Sequence, residues 1–274
     1  MNTANGGYPV PVYEALAADI KSLGVEAVFG LMSDDTVLFV TALDIAGITF
    51  HGARHENAAI SMAEGYAYAS GSLGIAVVGR GPATANGLHS AVYAARTGSR
   101  VLIIYGDAAY GTSSTNALGP DYKAFNALGV LTAAGLQVFR ATSAAGARTT
   151  LADAAGLAMQ GNAVALLLPT SIQLAKLAWN DADPAPSVVV PETQAEPARP
   201  EAVQLAVDCL GRSQRPLIIA GLGAHRAGAK EALEQLADRL GALLLTTARA
   251  KEMFRGHPYQ IGIIGSFTHS VGRH

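Results

Sequence analysis

Between residues 52 and 71 the chain reads GARHENAAISMAEGYAYASG, which sets a guanidinium, an imidazole and a carboxylate side by side at Arg54, His55 and Glu56. The positions that follow, Ala59, Ile60, Ala63, Tyr66 and Ala67, recur at helical spacing, so Glu56 is predicted in the first turn of a helix. A carboxylate there can simply complement the helix dipole, an effect of about 0.3–1 kcal/mol. If it is buried, its proton affinity rises and it becomes suited to acid–base work near neutral pH. His55 can orient that carboxylate, face a substrate or serve as a hydrogen-bonded residue at the helix start, and Arg54 can pair with an acidic neighbour.

Two further stretches carry chemistry-bearing residues. In GRGPATAN, Gly79, Gly81 and Pro82 suit a strand-to-helix turn, because glycine permits close backbone approach and proline fits a first helical turn. Asn86 follows within that helix and can brace the turn. In GLMSDD, Gly30 closes a strand and Ser33, Asp34 and Asp35 form an acidic turn. Open α/β sheets bind ligands at the carboxyl ends of their strands, so these three side chains can face a substrate; Ser33 or Asp34 can equally cap the next helix.

The elements that must position these residues alternate. Helical segments at Val12–Ser22, Thr36–Leu43, Glu56–Ser70, Ala83–Ala95 and Ala144–Met159 lie between apolar runs such as GIAVVG, RVLIIYG and AVALLLP. Continuous apolar strands interleaved with helices are the pattern of a parallel sheet covered on both faces. The fold class is therefore α/β, with a first domain over residues 1–180. A proline-containing stretch at 181–200, holding Pro184, Pro186, Pro191, Pro197 and Pro200, reads as a linker. Residues 201–274 open a second, Rossmann-like domain with two clear strands, PLIIAG and ALLLTT, too few for an independent open sheet. A C-terminal continuation or a separate complementary chain is expected.

Composition narrows the classes of function. Half of the 274 residues are hydrophobic and the formal net charge is -2. Without a dense Lys/Arg run there is no electrostatic footprint for nucleic acid or an anionic membrane, which leaves small molecules as expected partners. No apolar run approaches the ~20 residues of a bilayer span. The single cysteine and the start MNTANGGYPV, which has neither a basic nor an apolar signal segment, fit a cytoplasmic protein.

Taken in order, VFG after the first strand, RHENAAISMAEGYAYASG, a strand ending in GRGPATAN and a strand ending in IIYG resemble the pyrimidine-binding domain of thiamine diphosphate enzymes. The resemblance is to the acetolactate synthase and 2-oxo acid decarboxylase group, and more loosely it covers the whole chain. It implies thiamine diphosphate as cofactor, with Glu56 hydrogen-bonded to the aminopyrimidine N1′, and with Gly30, Gly81, Pro82 and Asn86 around the ring. It further implies Mg2+ on a third, diphosphate-binding domain, and a homodimer or homotetramer in which that domain of one subunit meets the pyrimidine domain of another. In some relatives the central domain binds FAD or ADP; GLGAHRAG is the matching glycine turn here, and it also reads as a purely structural one. Departures are Gly81-Pro82-Ala83 for G-P-G and Gly106-Asp107 for Gly-Gln.

The implied activity is decarboxylation of a 2-oxo acid with transfer or release of the acyl-anion equivalent. Alternatives are a lyase acting on a 2-hydroxy ketone, 2-hydroxyacyl thioester or cyclic dione, and, in another class, a noncatalytic regulatory or assembly module.

Overall fold

A computed structural model describes residues 7–108, 115–116, 119–180, 184–190, 196–265, 268 and 270. Pro191, most of YGTSST and the terminal His274 lie outside them. The chain divides into two compact units, Met1–Glu192 and Thr193–His274, with the division inside the proline-containing stretch.

The first unit runs β1 (Tyr8–Pro11), α1 (Val12–Ser22), β2 (Ala27–Gly30), α2 (Val37–Ile45), β3 (Thr49–Gly52), α3 (Glu56–Ser70) and β4 (Gly74–Val78). It continues with α4 (Pro82–Arg96), β5 (Val101–Asp107), the two-residue strands β6 (Thr115–Asn116) and β7 (Gly119–Pro120), α5 (Ala127–Ala133) and β8 (Gln137–Arg140). It ends with α6 (Ala144–Met159), β9 (Ala163–Pro169), α7 (Thr170–Leu174) and β10 (Lys176–Trp179). Six parallel strands form one sheet in the order β3-β2-β4-β5-β9-β8.

Alternation along the strands decides the layers. On β5, Leu102 and Ile104 join α1, α2 and α6 in one core, while Val101, Ile103 and Tyr105 join α3, α4 and α5 in the other. Every residue of β5 and β9 is buried, which explains why these strands read as unbroken apolar runs. Arg148 ties α6 to α1 through two bonds to Asp19, 2.9 and 2.7 Å, and its guanidinium lies 4.6 Å from the centre of the Trp179 ring. The pairing of β1 with β10, antiparallel from Tyr8–Trp179 to Pro11–Lys176, was not foreseen from sequence, where each partner is a short segment without a period-2 pattern.

Deep in the second core the Tyr105 hydroxyl is buried without a hydrogen-bond partner among the described residues, and burial holds its phenolic proton well above the ordinary range. An orphaned buried hydroxyl carries a desolvation cost of about 1–3 kcal/mol. Tyr105→Phe should therefore leave stability unchanged or raise it by about 1 kcal/mol in urea unfolding, and a clear loss would reveal a partner for the hydroxyl.

The second unit has α8 (Pro200–Arg212), β11 (Leu217–Ala220), the five-residue α9 (Leu222–Arg226), α10 (Lys230–Leu240), β12 (Leu243–Thr246) and β13 (Gln260–Ile263). Its sheet, ordered β11-β12-β13 and parallel, has three strands where the sequence suggested two. QIGI was missed because two of its four residues are polar or glycine, and its strand character comes from pairing with β12. The glycine turn of GLGAHRAG opens α9, and none of the residues of that helix is buried.

Candidate functional site

The sheet order reverses between β2 and β4: the chain leaves β2 outward to β3, then returns to the other side of β2. Such a switch point opens a crevice at the carboxyl ends of the two strands. There, Leu31, Met32 and Ser33 after β2, Gly79, Arg80, Pro82 and Ala83 after β4, and Glu56 and Asn86 on the helices line a cavity of about 260 Å³. Tyr122 and Lys123 complete its wall.

Glu56 arrives there because α3 begins where the sequence placed it. His55 is the N-cap residue, and its Nδ1 accepts the Asn57 amide at 3.1 Å. Helix α3 then buries Glu56, Ala59, Ile60, Ala63 and Ala67. Helix α4 lies against it closely enough that a Cβ on Gly87 would stand 2.7 Å from Ile60 Cδ1. Asn57 Oδ1 accepts the Ser90 amide at 2.9 Å and the Ser61 and Ser90 hydroxyls meet at 2.7 Å, so polar ties fix the register of the two helices.

That register brings Asn86 to Glu56. Asn86 Nδ2 donates to Glu56 Oε2 at 3.1 Å, the one hydrogen bond of this carboxylate among the described residues. Glu56 is 8 % exposed. Sequence had offered Asn86 as a brace for its own turn; instead it holds a residue thirty positions away. Arg54 and His55 are exposed, and neither lines the cavity.

The glycines fall into two groups. At Gly30 a Cβ would stand 2.4 Å from Val77 O and 2.7 Å from Phe50, so neighbouring strand and ring already account for glycine there. Gly81, with φ 70°, is the residue before Pro82 at the start of α4, and a Cβ on it would lie 2.3 Å from Lys123 O. Its freedom is used to let residues 121–123 pass close by.

Of the acidic turn, Ser33 lines the cavity, Asp34 is exposed and Asp35 is buried. Neither Ser33 nor Asp34 caps α2: the N-cap residue is Thr36, without a side-chain cap bond. Ser33 Oγ donates instead to Asp35 at 3.0 Å, and Asp34 pairs with Lys123. Asp107, at the position of a Gln in the resembling family, accepts Arg140 Nε at 2.6 Å and the Ala108 amide at 2.9 Å.

Sequence reading missed Arg80, Asp121 and Lys123. Arg80 makes a two-pronged pair with Asp121, 2.8 and 3.0 Å, across forty-one residues, and no local pattern signals such a contact. Each partner shifts as its neighbour demands. The Arg80 guanidinium holds the Asp121 carboxyl below the usual range, and Lys123 does the same for Asp34. Burial opposes the Lys123 charge, but the hydrogen bonds that Lys123 Nζ donates to Asp34 and Asp35 outweigh it and raise its pKa.

Carboxyls whose folded pKa is lowered add stability above their unfolded value, about 3.9 for Asp, and the contribution fades as pH falls through the folded value. These pairs should thus hold from neutral pH to about pH 4 and weaken below it, and the Lys123 pairs should weaken again at high pH as the lysine loses its proton. A carboxyl-carbon NMR titration should place the Asp34 and Asp121 midpoints below about 3.9; midpoints at or above that value would show the pairs absent in solution.

Among the described residues, no group of three or more His, Cys, Asp or Glu side chains converges to hold a metal ion. Among the same residues, no helix is long and apolar enough to cross a membrane.

Residues 11–128 match the family model described as thiamine pyrophosphate enzyme, N-terminal TPP binding domain, and residues 203–273 match that of the central domain. A probable acetolactate synthase large subunit of Methanococcus aeolicus is 28% identical over 258 residues, covering 92% of this chain and 42% of the relative. A probable 2-ketoarginine decarboxylase of Pseudomonas aeruginosa is 29% identical over 243 residues, 87% of this chain and 42% of the relative. The acetolactate synthase isozyme 2 large subunit of Escherichia coli is 26% identical over 249 residues, 90% of this chain and 44% of the relative. The chain spans under half the length of these relatives.

Proposed function

Because this chain belongs to the thiamine pyrophosphate enzyme family, we propose that it supplies the pyrimidine-binding half of a thiamine diphosphate site, with Glu56 as the group that hydrogen-bonds the aminopyrimidine ring. The observation that carries this reading is a buried carboxylate with a single Asn86 donor on the wall of a cavity. At about 260 Å³ the cavity is smaller than the 300–1,000 Å³ usual for a whole ligand, which suits one ring of a larger molecule. Leu31, Met32, Pro82 and Ala83 offer apolar walls to such a ring.

When bound, the cofactor would supply the nucleophile and electron sink needed to break or form a carbon–carbon bond beside a carbonyl. The work of this chain is to prepare it. Asn86 fixes one Glu56 oxygen, burial keeps water from competing for the carboxylate, and Glu56 would share a proton with a nitrogen of the bound ring. Gly81 and Pro82 set the start of α4 so that Asn86 reaches across.

The reaction this best supports is decarboxylation of a 2-oxo acid with transfer or release of the acyl-anion equivalent, in the manner of the acetolactate synthase and oxo-acid decarboxylase relatives. Cleavage of a 2-hydroxy ketone, 2-hydroxyacyl thioester or cyclic dione draws on the same cofactor chemistry and is the second reading; Asp107, committed to Arg140 where the resembling family has Gln, marks a departure from that family. The diphosphate and Mg2+ belong, in this proposal, to a complementary domain, and the assembly to a homodimer or homotetramer in the cytoplasm. Calorimetric titration of the complete assembly with thiamine diphosphate and Mg2+ tests the reading. Saturable binding that weakens with Asn86→Ala supports it; a complete assembly that binds no thiamine diphosphate defeats it and favours a noncatalytic module.

A further inference from the structure

The stretch 121–126 forms part of the cavity wall yet contains no buried residue, and Tyr122 is 79% exposed. Hydrophobic burial therefore does not hold it. Charge does, from two directions: Arg80 grips Asp121, and Lys123 reaches Asp35 at 3.0 Å and Asp34. The Lys123 and Asp35 side chains are 16% and 3% exposed, so this is a pair largely out of water.

Asp35 is the fixed end of the clasp. Its carboxylate also accepts the Arg80 amide at 2.7 Å and the Ser33 hydroxyl at 3.0 Å. Its carbonyl accepts Gln173 Nε2 at 3.0 Å, and the same nitrogen donates to Leu168 O at 3.0 Å, so the turn is anchored to the end of β9. Three glycines leave room for the arrangement. A Cβ would lie 1.9 Å from Asp35 Oδ2 at Gly106, 2.6 Å from Ser33 Oγ at Gly79 and 2.3 Å from Lys123 O at Gly81.

We propose that Asp35 and Lys123 are positioning residues: their ion pair, together with that of Arg80 and Asp121, sets the outer wall of the Glu56 cavity and the place of Tyr122 on it, and Lys123 does not itself receive a substrate carboxylate. The assignment deepens the functional reading above and rests on it for its meaning. A lysine on the wall of a site for 2-oxo acids invites the opposite assignment. Against that, its ammonium is already satisfied by two carboxylates, so a substrate carboxylate would have to displace one of them. Displacing Asp35 leaves a buried charge without its partner.

Hydrogen exchange read by mass spectrometry on the full chain tests this with Lys123→Met, Asp35→Asn, the double variant and Lys123→Arg. Lys123→Met should speed exchange across 119–126 at least about tenfold while β4 and β5 stay protected, since it strands the Asp35 charge. The double variant should return exchange to within about threefold of the parent, because the charge leaves with its partner. Lys123→Arg should stay near the parent. In the complete assembly, the substrate KM raised by Lys123→Met should recover in the double variant with kcat little changed. A lysine that binds substrate directly would show no such recovery. Unchanged exchange in Lys123→Met, or a double variant that does not fold or does not recover, overturns the proposal. Absence of thiamine diphosphate binding by the parent would defeat the functional reading alone, leaving the exchange result to stand by itself.

Discussion

Replacing Glu56 with Gln lowers thiamine diphosphate-dependent turnover of the complete assembly by about 10²–10⁴-fold, the range for a lost general acid–base group. The change is nearly isosteric, and the new side chain keeps an oxygen for the Asn86 donor, so the geometry at the α3–α4 contact persists. What goes is the ability to share a proton with the ring. The melting temperature should move little, and cofactor binding should weaken far less than turnover. Steady-state kinetics beside a thermal melt reads both. Turnover within about threefold of the parent would remove Glu56 from the proposed role, because a dipole-complementing carboxylate contributes only about 0.3–1 kcal/mol to the helix and nothing to the chemistry.

Gly106→Ala costs about 3 kcal/mol of stability, a larger loss than most substitutions of one methyl group produce. A Cβ there would fall 1.9 Å from Asp35 Oδ2, and that oxygen cannot swing aside because the Arg80 amide holds it at 2.7 Å. Overpacking alone costs about 1–3 kcal/mol, and pushing the carboxylate off its donors adds part of the cost of a broken buried pair. Urea unfolding measures the loss. Gly65→Ala is the control: its Cβ meets nothing within 4 Å in the middle of α3, so that variant should gain up to about 1 kcal/mol from helix propensity. Equal effects of the two substitutions would contradict the placement of Asp35.

Some of this protein is legible without coordinates. The layers follow from local periodicity, because a residue's face on a helix or strand depends on its own neighbours: α3 runs Glu56–Ser70 and α6 Ala144–Met159, as their apolar spacing indicates. The buried strands β5 and β9 announce themselves as unbroken apolar runs. Glu56 stands out for the same reason, as the carboxylate in the first turn of an alanine-rich helix.

Partnership is a different kind of information. That Asn86 serves Glu56, that Asp35 is the buried one of three neighbouring polar residues, and that Lys123 belongs to both Asp34 and Asp35 follow from the strand order β3-β2-β4-β5. This order folds segments thirty to ninety residues apart onto one edge. The same holds for β1 with β10, whose register exists only once the sheet has brought both ends of the first unit together. Sequence alone determined the alternating helices and strands and the place of a carboxylate at the head of α3. The tertiary structure decided which charges meet, because an ion pair depends on separation in space and carries no period along the chain.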